Sequence, residues 1–202
     1  MSTSLLYHAF GVSGVKYKST EYSEGQVRFH GEVTQHFKCS KCVGTHLIFK
    51  GVKVRSLHLP PIGKKPCFLD LTTHRVQCKE CDHLYWPHLP FVHKGRRMTG
   101  SFARYVGDLL QFSTIQDVAQ LLGIGWDTVK RIHKEYLQSK YRSISLKDVE
   151  YISIDEFSIK KRHKYMTVVS DIKSGHIIYA VEGRKEKHVK KFFKRLKKTL
   201  LS

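Results

Sequence analysis

The chain has 202 residues, and its 36 Lys and Arg against 17 Asp and Glu give a formal net charge of +19. This length allows one or two domains with real hydrophobic cores, and the charge favours a nucleic-acid backbone as the partner surface. No apolar run approaches the length of a membrane-spanning helix, and the first residues lack the pattern of a signal peptide. Four of the five cysteines stand in metal-type pairs, which favours a reducing cytosol over a disulfide scaffold. We therefore expect a cytoplasmic protein without a membrane partner.

The first part of the chain is predicted to be rich in β-strands. Residues 5–37 have a strand-like pattern, in which residues 15–22 and 26–30 alternate around a Ser-Glu-Gly turn signal. Residues 68–77 predict a further strand, and the prolines within residues 60–63 are expected to break the chain before it. A hairpin and a later strand are therefore expected here.

Four cysteines form two C-x-x-C pairs, which are Cys39 with Cys42 and Cys78 with Cys81. A structural zinc site needs four soft ligands in a tetrahedron, and two such pairs on separate turns supply them. The alternatives are unrelated core cysteines or one redox pair, but both pairs contain Lys and lie among polar residues, as turns do. We therefore predict that one Zn2+ binds these four thiolates in a zinc ribbon within residues 1–95. The fifth cysteine, Cys67, is interpreted as a small core residue rather than a ligand.

Residues 99–141 change to a helical period. Three apolar stripes at helical spacing are formed by Phe102, Ala103, Val106, Leu109 and Leu110, by Ile115, Val118, Ala119 and Leu122, and by Val129, Ile132, Tyr136 and Leu137. Ser113 is expected to begin the second helix through a capping box with Gln116. Gly123 ends that helix because glycine tolerates the left-handed conformation. This pattern predicts a helix-turn-helix within residues 96–145.

The last of these helices is expected to carry the DNA contacts. Its outward side chains are Trp126, Thr128, Lys130, Arg131 and Lys134. The N-terminal residues of such a helix meet base edges, and its flanking cations meet phosphates. The alternative is an ordinary helical hairpin with a solvated basic face.

A third unit, residues 146–202, is predicted to begin with strands. Residues 151–157 read as a buried strand that carries Asp155 and Glu156, and residues 164–170 and 176–181 read as two more strands. A helix from about residue 185 follows, with Val189, Phe192, Phe193, Leu196 and Leu200 on its inner stripe. Three strands and then a helix form the opening of a ribonuclease-H-like sheet.

Taken together, the chain resembles the bacterial insertion-sequence transposases of the ISL3 type. Those proteins join an N-terminal zinc ribbon and a helix-turn-helix to an Asp-Asp-Glu catalytic domain. The resemblance is carried by the two C-x-x-C pairs, residues 114–132, Ile154-Asp155-Glu156-Phe157, residues 165–171 and Gly183-Arg184. It implies a multidomain α+β fold, in which a β-rich zinc ribbon and a helical helix-turn-helix precede the start (β-β-β-α) of a ribonuclease-H-like domain.

The same resemblance implies a function in DNA transposition. The partner would be double-stranded DNA at the terminal inverted repeats of the element, bound near the bacterial nucleoid, with a homo-oligomer as a further expectation. Asp155 matches the family's first catalytic aspartate, and the complete catalytic domain holds two divalent ions, Mg2+ or Mn2+, through three carboxylates.

The family's second aspartate and its glutamate should lie well downstream of the residues present. Asp171 precedes a Ser-Gly turn, where Asp usually forms local hydrogen bonds. Glu156 faces away from Asp155 in a regular strand, and one carboxylate is too few for two metal ions. We therefore expect a C-terminally truncated chain that binds DNA without cutting it. Its third unit would be marginally stable, because an open strand edge and the stripe of Val189, Phe192 and Leu196 would lack cover.

Two other functions stay open at this point. The first is a non-catalytic zinc-ribbon and helix-turn-helix regulator, whose third unit serves only in packing or oligomerisation. The second is an RNA-binding ribbon protein. A preference for duplex DNA over structured RNA would separate the second from the others.

Overall fold

A computed structural model of the chain describes residues 5–34, 37–92, 96–141, 144–160 and 164–200. The chain divides into two compact units, Met1–Leu137 and Gln138–Ser202. Both units combine helices with a β-sheet, so the expected mixture of α and β structure is confirmed. Among the described helices, none is long and apolar enough to cross a membrane.

The first unit contains a mixed sheet with strand order β1-β2-β4-β3, and a short β5 pairs with β4. Its strands are β1 (Val15–Ser23), β2 (Gln26–Val33), β3 (Leu47–Ile62), β4 (Lys65–Cys78) and β5 (Leu84–Tyr85). The β1–β2 hairpin and the β4 strand are confirmed where the sequence predicts them. β4 is central, since it pairs in parallel with β2 and antiparallel with β3.

The long strand β3 was missed by the sequence prediction. Pro60 and Pro61 lie inside it, so these prolines do not break the chain; the expected break before β4 is the turn at Gly63 and Lys64. Proline lacks the N–H that a central strand needs, but β3 is at the edge of the sheet, where one side needs no partner. The pairing also shifts register between Leu59 and Ile62, which accommodates the two prolines.

A short helix, α1 (Leu5–Phe10), precedes the sheet. The strand-like interpretation of these first residues is therefore wrong. Leu6 and Phe10 lie four residues apart, on one helix face, and both are buried in the sheet's core. The helix ends at Gly11, which has a φ of +66°.

The core of the sheet follows from strand alternation. Alternate residues are buried on one face in β2, in the second half of β3 and in β4. These residues are Val27 and Phe29, Leu57 and Leu59, and Cys67, Leu69 and Leu71. Leu89, Phe91 and Val92, from the segment after β5, complete the cluster.

Three helices follow: α2 (Gly100–Leu109), α3 (Ile115–Leu122) and α4 (Trp126–Lys140), and they lie in the same unit as far as Leu137. Their shared cluster consists of Met98, Phe102, Ala103, Val106, Val118, Ala119, Val129 and Ile132, as the apolar stripes predict. The capping box at the start of α3 is formed by Thr114 and Asp117 instead of Ser113 and Gln116. Leu137, expected on the inner stripe of α4, is exposed.

The second unit contains an antiparallel sheet with order β6-β7-β8, followed by a helix. Its elements are β6 (Ile152–Lys160), β7 (Lys164–Asp171), β8 (Ile177–Glu182) and α5 (Glu186–Leu200). This succession matches the predicted one. The core joins Leu146, Val169 and Ile178 to Val189 and Phe192 of α5.

Burial in the second unit differs from the prediction at two places. β6 is an exposed edge strand, with Ile154 and Phe157 nearly half accessible, so the expectation of a buried strand is wrong. The expected uncovered stripe is also wrong, because Val189 and Phe192 are buried against the sheet. Phe193, by contrast, is 45% exposed.

Candidate metal centre and nucleic-acid interface

The two C-x-x-C turns meet at one end of the sheet of the first unit. The first turn lies between β2 and β3, and the second begins where β4 ends, at Cys78. β3 and β4 hold the turns in register because Leu47 pairs with Cys78. The backbone N–H of Lys79 donates to the carbonyl of His46 at 2.9 Å, which joins the second turn to the residues after the first.

Both turns have the same backbone geometry. The N–H of Cys39 donates to the carbonyl of Gly44 at 2.8 Å, and the N–H of Cys78 donates to that of His83 at 3.0 Å. Each hydrogen bond spans five residues and closes the turn around its pair of sulfurs. In both turns the residue after the second cysteine has a positive φ, +64° at Val43 and +54° at Asp82. A β-branched residue is rarely found in this conformation, so the turn at Val43 is imposed by its surroundings.

The four sulfur atoms converge. The Sγ atoms of Cys39 and Cys81 are 3.6 Å apart, those of Cys42 and Cys78 are 3.5 Å apart, and all four lie within 4.8 Å of one another. Four sulfurs that each bind one zinc at about 2.3 Å in a tetrahedron lie roughly 3.8 Å from each other. The four thiols therefore fit a tetrahedral metal ion, and this cluster could hold one.

The thiols differ in their acidity. Hydrogen bonds from the backbone N–H groups of Cys42 and Lys41 lower the pKa of Cys39 to about 6, against the opposing effect of burial. A backbone hydrogen bond involving Gly44 lowers the pKa of Cys42, but burial and the neighbouring sulfurs raise it to about 12. Closely packed thiolates repel one another, so a cation between them would favour full deprotonation.

Residues around the cluster hold its turns in place. The hydroxyl of Tyr85 donates to the carbonyl of Lys38, next to the first turn, at 2.9 Å. Glu80 packs against Gly44 so closely that a Cβ there would lie 2.2 Å from its carboxylate. These neighbours were not predicted from the sequence, although glycine after a C-x-x-C pair is a detectable signal. Cys67 is 1% exposed in the core and lies outside the cluster.

The helix-turn-helix forms around the turn between α3 and α4. Gly123 ends α3 with a φ of +61°, as predicted, and its N–H and that of Ile124 donate to carbonyls at the end of α3. Ala119 is buried in the helical core. A second small residue, Gly107 of α2, lies so close to Tyr136 that a Cβ would be 2.9 Å from the ring. This contact between α2 and α4 was not predicted from the sequence.

One face of α4 is exposed and basic. Lys130, Arg131 and Lys134 are exposed on the side opposite the buried Val129 and Ile132. Trp126, in the first turn, is 43% exposed, and the ammonium group of Lys130 lies 4.8 Å from its ring centre. Thr128 is half-buried at the border of this face. The five predicted contact residues are therefore on the first two and a half turns of one helix, with Thr128 set deepest.

Asp155 lies on the exposed strand β6. It pairs with Val168, whereas Glu156 pairs with Thr167, so the two carboxylates are on opposite faces of the sheet. Ile154 shares a groove with α5, which places Asp155 on the face away from this helix. Among the described residues, the four cysteines are the group whose spacing could hold a metal ion. The described carboxylates do not fit a pair of divalent ions.

Asp171 closes the turn between β7 and β8. Its carboxylate accepts hydrogen bonds from the hydroxyl of Ser174 at 2.5 Å and from the backbone N–H groups of Ser174 and Lys173 at 3.1 and 3.2 Å. The hydroxyl of Ser174 is the main reason why the pKa of Asp171 lies below its ordinary value. These contacts give the Asp171 carboxylate a structural role within its own turn.

Family comparisons match two segments of the chain. Residues 87–137 match the helix-turn-helix domain of transposase family ISL3. Residues 152–201 match the DDE model of the same family, which is described as a transposase. The first match covers α2, α3 and most of α4, and the second covers β6 to α5.

Curated relatives are similar over most of this chain. The transposase for insertion sequence element IS1001 of Bordetella parapertussis is 29% identical over 158 residues, which are 78% of this chain and 39% of the relative. The transposases for IS1557 of two Mycobacterium tuberculosis strains, CDC 1551 and H37Rv, are 28% identical over 148 residues, 71% of this chain and 32% of each relative. The chain thus spans about a third to two fifths of their length. No solved structure matches it significantly.

Proposed function

We propose that this chain, which belongs to the ISL3 family of insertion-sequence transposases, acts in DNA transposition by binding duplex DNA through its helix-turn-helix. The observation that carries this proposal is the exposed basic face of α4, within the segment that matches the family's helix-turn-helix domain. Lys130, Arg131 and Lys134 would meet phosphates, and Trp126 and Thr128 would lie nearer the base edges. The terminal inverted repeats of the element would be the specific partner, bound at the bacterial nucleoid.

The remaining parts take their proposed roles from the same family. The cysteine cluster of residues 1–95 would hold one structural Zn2+, whose binding contributes to folding energy. Residues 96–145 would form the DNA-binding domain. Residues 146–202 would supply the opening of a ribonuclease-H-like catalytic domain, an assignment that the order β6-β7-β8-α5 supports.

Asp155 is proposed as the first catalytic carboxylate of that domain. Mg2+ or Mn2+ would be its ion in a complete site, where two divalent ions activate the attacking oxygen and stabilise the leaving one. A homo-oligomer is a further proposal for the assembled enzyme. The match of residues 152–201 to a transposase model favours transposition over the alternative of a non-catalytic regulator.

The test of DNA binding compares Arg131→Ala with the unchanged chain on duplexes that carry the terminal repeat or an unrelated sequence. Loss of one phosphate contact should weaken binding to both duplexes and reduce the salt slope of log K by about one. Fluorescence anisotropy over a salt series measures both quantities. Lys16→Ala, an exposed change on β1, is the charge-matched control and should leave the slope nearly unchanged.

Unchanged affinity of Arg131→Ala for both duplexes would show that α4 is not the DNA-binding helix. Stronger binding of the chain to structured RNA than to either duplex would instead favour the RNA-binding alternative. Failure of the unchanged chain to bind any duplex would contradict the proposed function itself.

A further inference from the structure

A basic cleft lies on the sheet of the first unit, where the core face of β3 continues beyond the buried leucines. Its volume is about 520 Å³, and its lining residues are Lys53, Val54, Arg55, Ser56, Thr73, Trp86, Pro87, Arg96 and Arg97. Four of these residues are cationic, and the lining that the structure describes includes no acidic side chain. A cleft lined by one sign of charge concentrates ions of the opposite sign.

Arg96 is the most informative residue of this cleft. Its side chain is only 9% exposed, and its Nη2 donates to the carboxylate of Glu135 on α4. Its Nη1 is buried without a hydrogen-bond partner among the described residues. An unsatisfied buried donor on a charged group is costly, so an acceptor that entered the cleft and reached this group would lower that cost.

The neighbouring groups are held in place by the fold. Arg55 donates from Nη2 to the carbonyl of Arg96 at 3.0 Å, and the N–H of His58 on β3 donates to the carbonyl of Arg97 at the same distance. Thr73 donates from its hydroxyl to the carbonyl of Lys53 at 3.0 Å. These bonds fix the backbone that carries the cations before any ligand arrives.

We propose that this cleft binds a phosphate of the DNA backbone and thereby extends the DNA interface from α4 onto the sheet. Guanidinium groups match phosphate oxygens in geometry and charge, and Arg96, Arg97 and Arg55 surround one cavity. Trp86, 45% exposed in the same lining, offers a ring against which a sugar or an unstacked base can pack. The ion pair from Arg96 to Glu135 ties the cleft to α4, within a single compact unit. The proposal rests on the proposed DNA binding by α4.

The test uses the exposed residues of the cleft, because a change at the buried Arg96 could unfold the unit. The double variant Lys53→Ala/Arg97→Ala should bind duplex DNA on the order of tenfold more weakly at about 0.1 M salt. Its salt slope should fall by about one, since the contact with one phosphate is removed. Lys16→Ala/Lys50→Ala removes the same charge from exposed positions outside the lining and should leave the slope nearly unchanged.

Phosphate-ethylation interference locates the contact. Ethylation of certain phosphates should block binding of the unchanged chain but no longer affect binding of the double variant. For Arg131→Ala, the phosphates whose ethylation no longer matters should be different ones. An identical interference pattern for the unchanged chain and the double variant, with an unchanged salt slope, would overturn the cleft proposal while α4 binding stands. Equal losses in both double variants would also overturn it, because the effect would then be one of net charge. If Arg131→Ala and both double variants bind as the unchanged chain does, the α4 proposal fails as well.

Discussion

The cysteine cluster and the carboxylates of the second unit are placed by different kinds of structure. Each pair of cysteines lies on a tight turn closed by its own backbone hydrogen bond, and β3 and β4 bring the two turns together. Asp155 lies instead in the middle of an exposed edge strand, where its side chain oxygen accepts a hydrogen bond from the N–H of Glu156 at 2.8 Å. A site built from turns gathers its ligands locally. A carboxylate borne by a strand depends on other elements to bring its partners.

The strongest test of this comparison removes one ligand from the cluster. Cys78→Ser should lower the zinc content from about one ion per chain to near zero and should unfold the sheet of the first unit. The expected loss is large because structural zinc contributes on the order of 10 kcal/mol to the folding of small metal domains. Metal analysis under reducing, chelator-free conditions measures the first effect, and circular dichroism measures the second.

The matched control is Cys67→Ala, at the buried cysteine outside the cluster. It should lower stability moderately, through lost packing, and leave the zinc content at one per chain. A full complement of zinc in Cys78→Ser would contradict the four-cysteine site. Zinc lost equally in both variants would mean that the content reports folding alone.

The cluster was predictable from the sequence because its information is local. The C-x-x-C spacing defines each turn, and the strand that ends at Cys78 has a clear pattern. By contrast, β3 was not predictable from its residues, because Pro60 and Pro61 argue against a strand unless its edge position is known. The unsatisfied Arg96 depends on packing that no spacing reveals.

In the helical region, the sequence predicts the helices but not the residues that cap them. The positions of α2, α3 and α4 follow from apolar spacing, and Gly123 was identified as the turn. The cap was misplaced by one residue, since Ser113 and Thr114 are both good capping residues and only the structure selects Thr114. The exposure of β6 could not be predicted either. Its Ile and Phe residues predict a buried strand, but in the described residues neither face of β6 is fully covered.

A smaller effect is expected at the turn that precedes α4. Gly123→Ala should destabilise the first unit by about 1–2 kcal/mol, because alanine is disfavoured at a φ of +61°. Gly100→Ala is the control, since Gly100 is the first residue of α2 and a Cβ there would have ordinary contacts of 3.8 Å. It should be neutral or slightly stabilising. Urea unfolding measures both, and equal stability of the two variants would mean that the turn does not constrain α4.

The smallest effect is expected from the carboxylates of the second unit, of which Asp171 lies in a turn and Asp155 on a strand. Asp171 has a lowered pKa, chiefly because the hydroxyl of Ser174 donates to it. Its ionised form therefore stabilises the fold at pH values above its ordinary pKa of 3.8, and this contribution is lost as the pH falls through the lower folded value.

Asp171→Asn keeps an acceptor in the turn but removes the charge. The variant should be less stable than the unchanged chain at neutral pH, and the difference should shrink as the pH falls below about 4. Asp155→Asn is the matched control on the exposed strand and should unfold like the unchanged chain over the whole range. Thermal unfolding across this pH range measures the difference. If Asp155→Asn lowers stability as much as Asp171→Asn, the carboxylate on β6 is also structural, and its proposed role as a metal ligand loses its basis. If only Asp171→Asn does so, Asp155 is the carboxylate that the fold leaves available for chemistry.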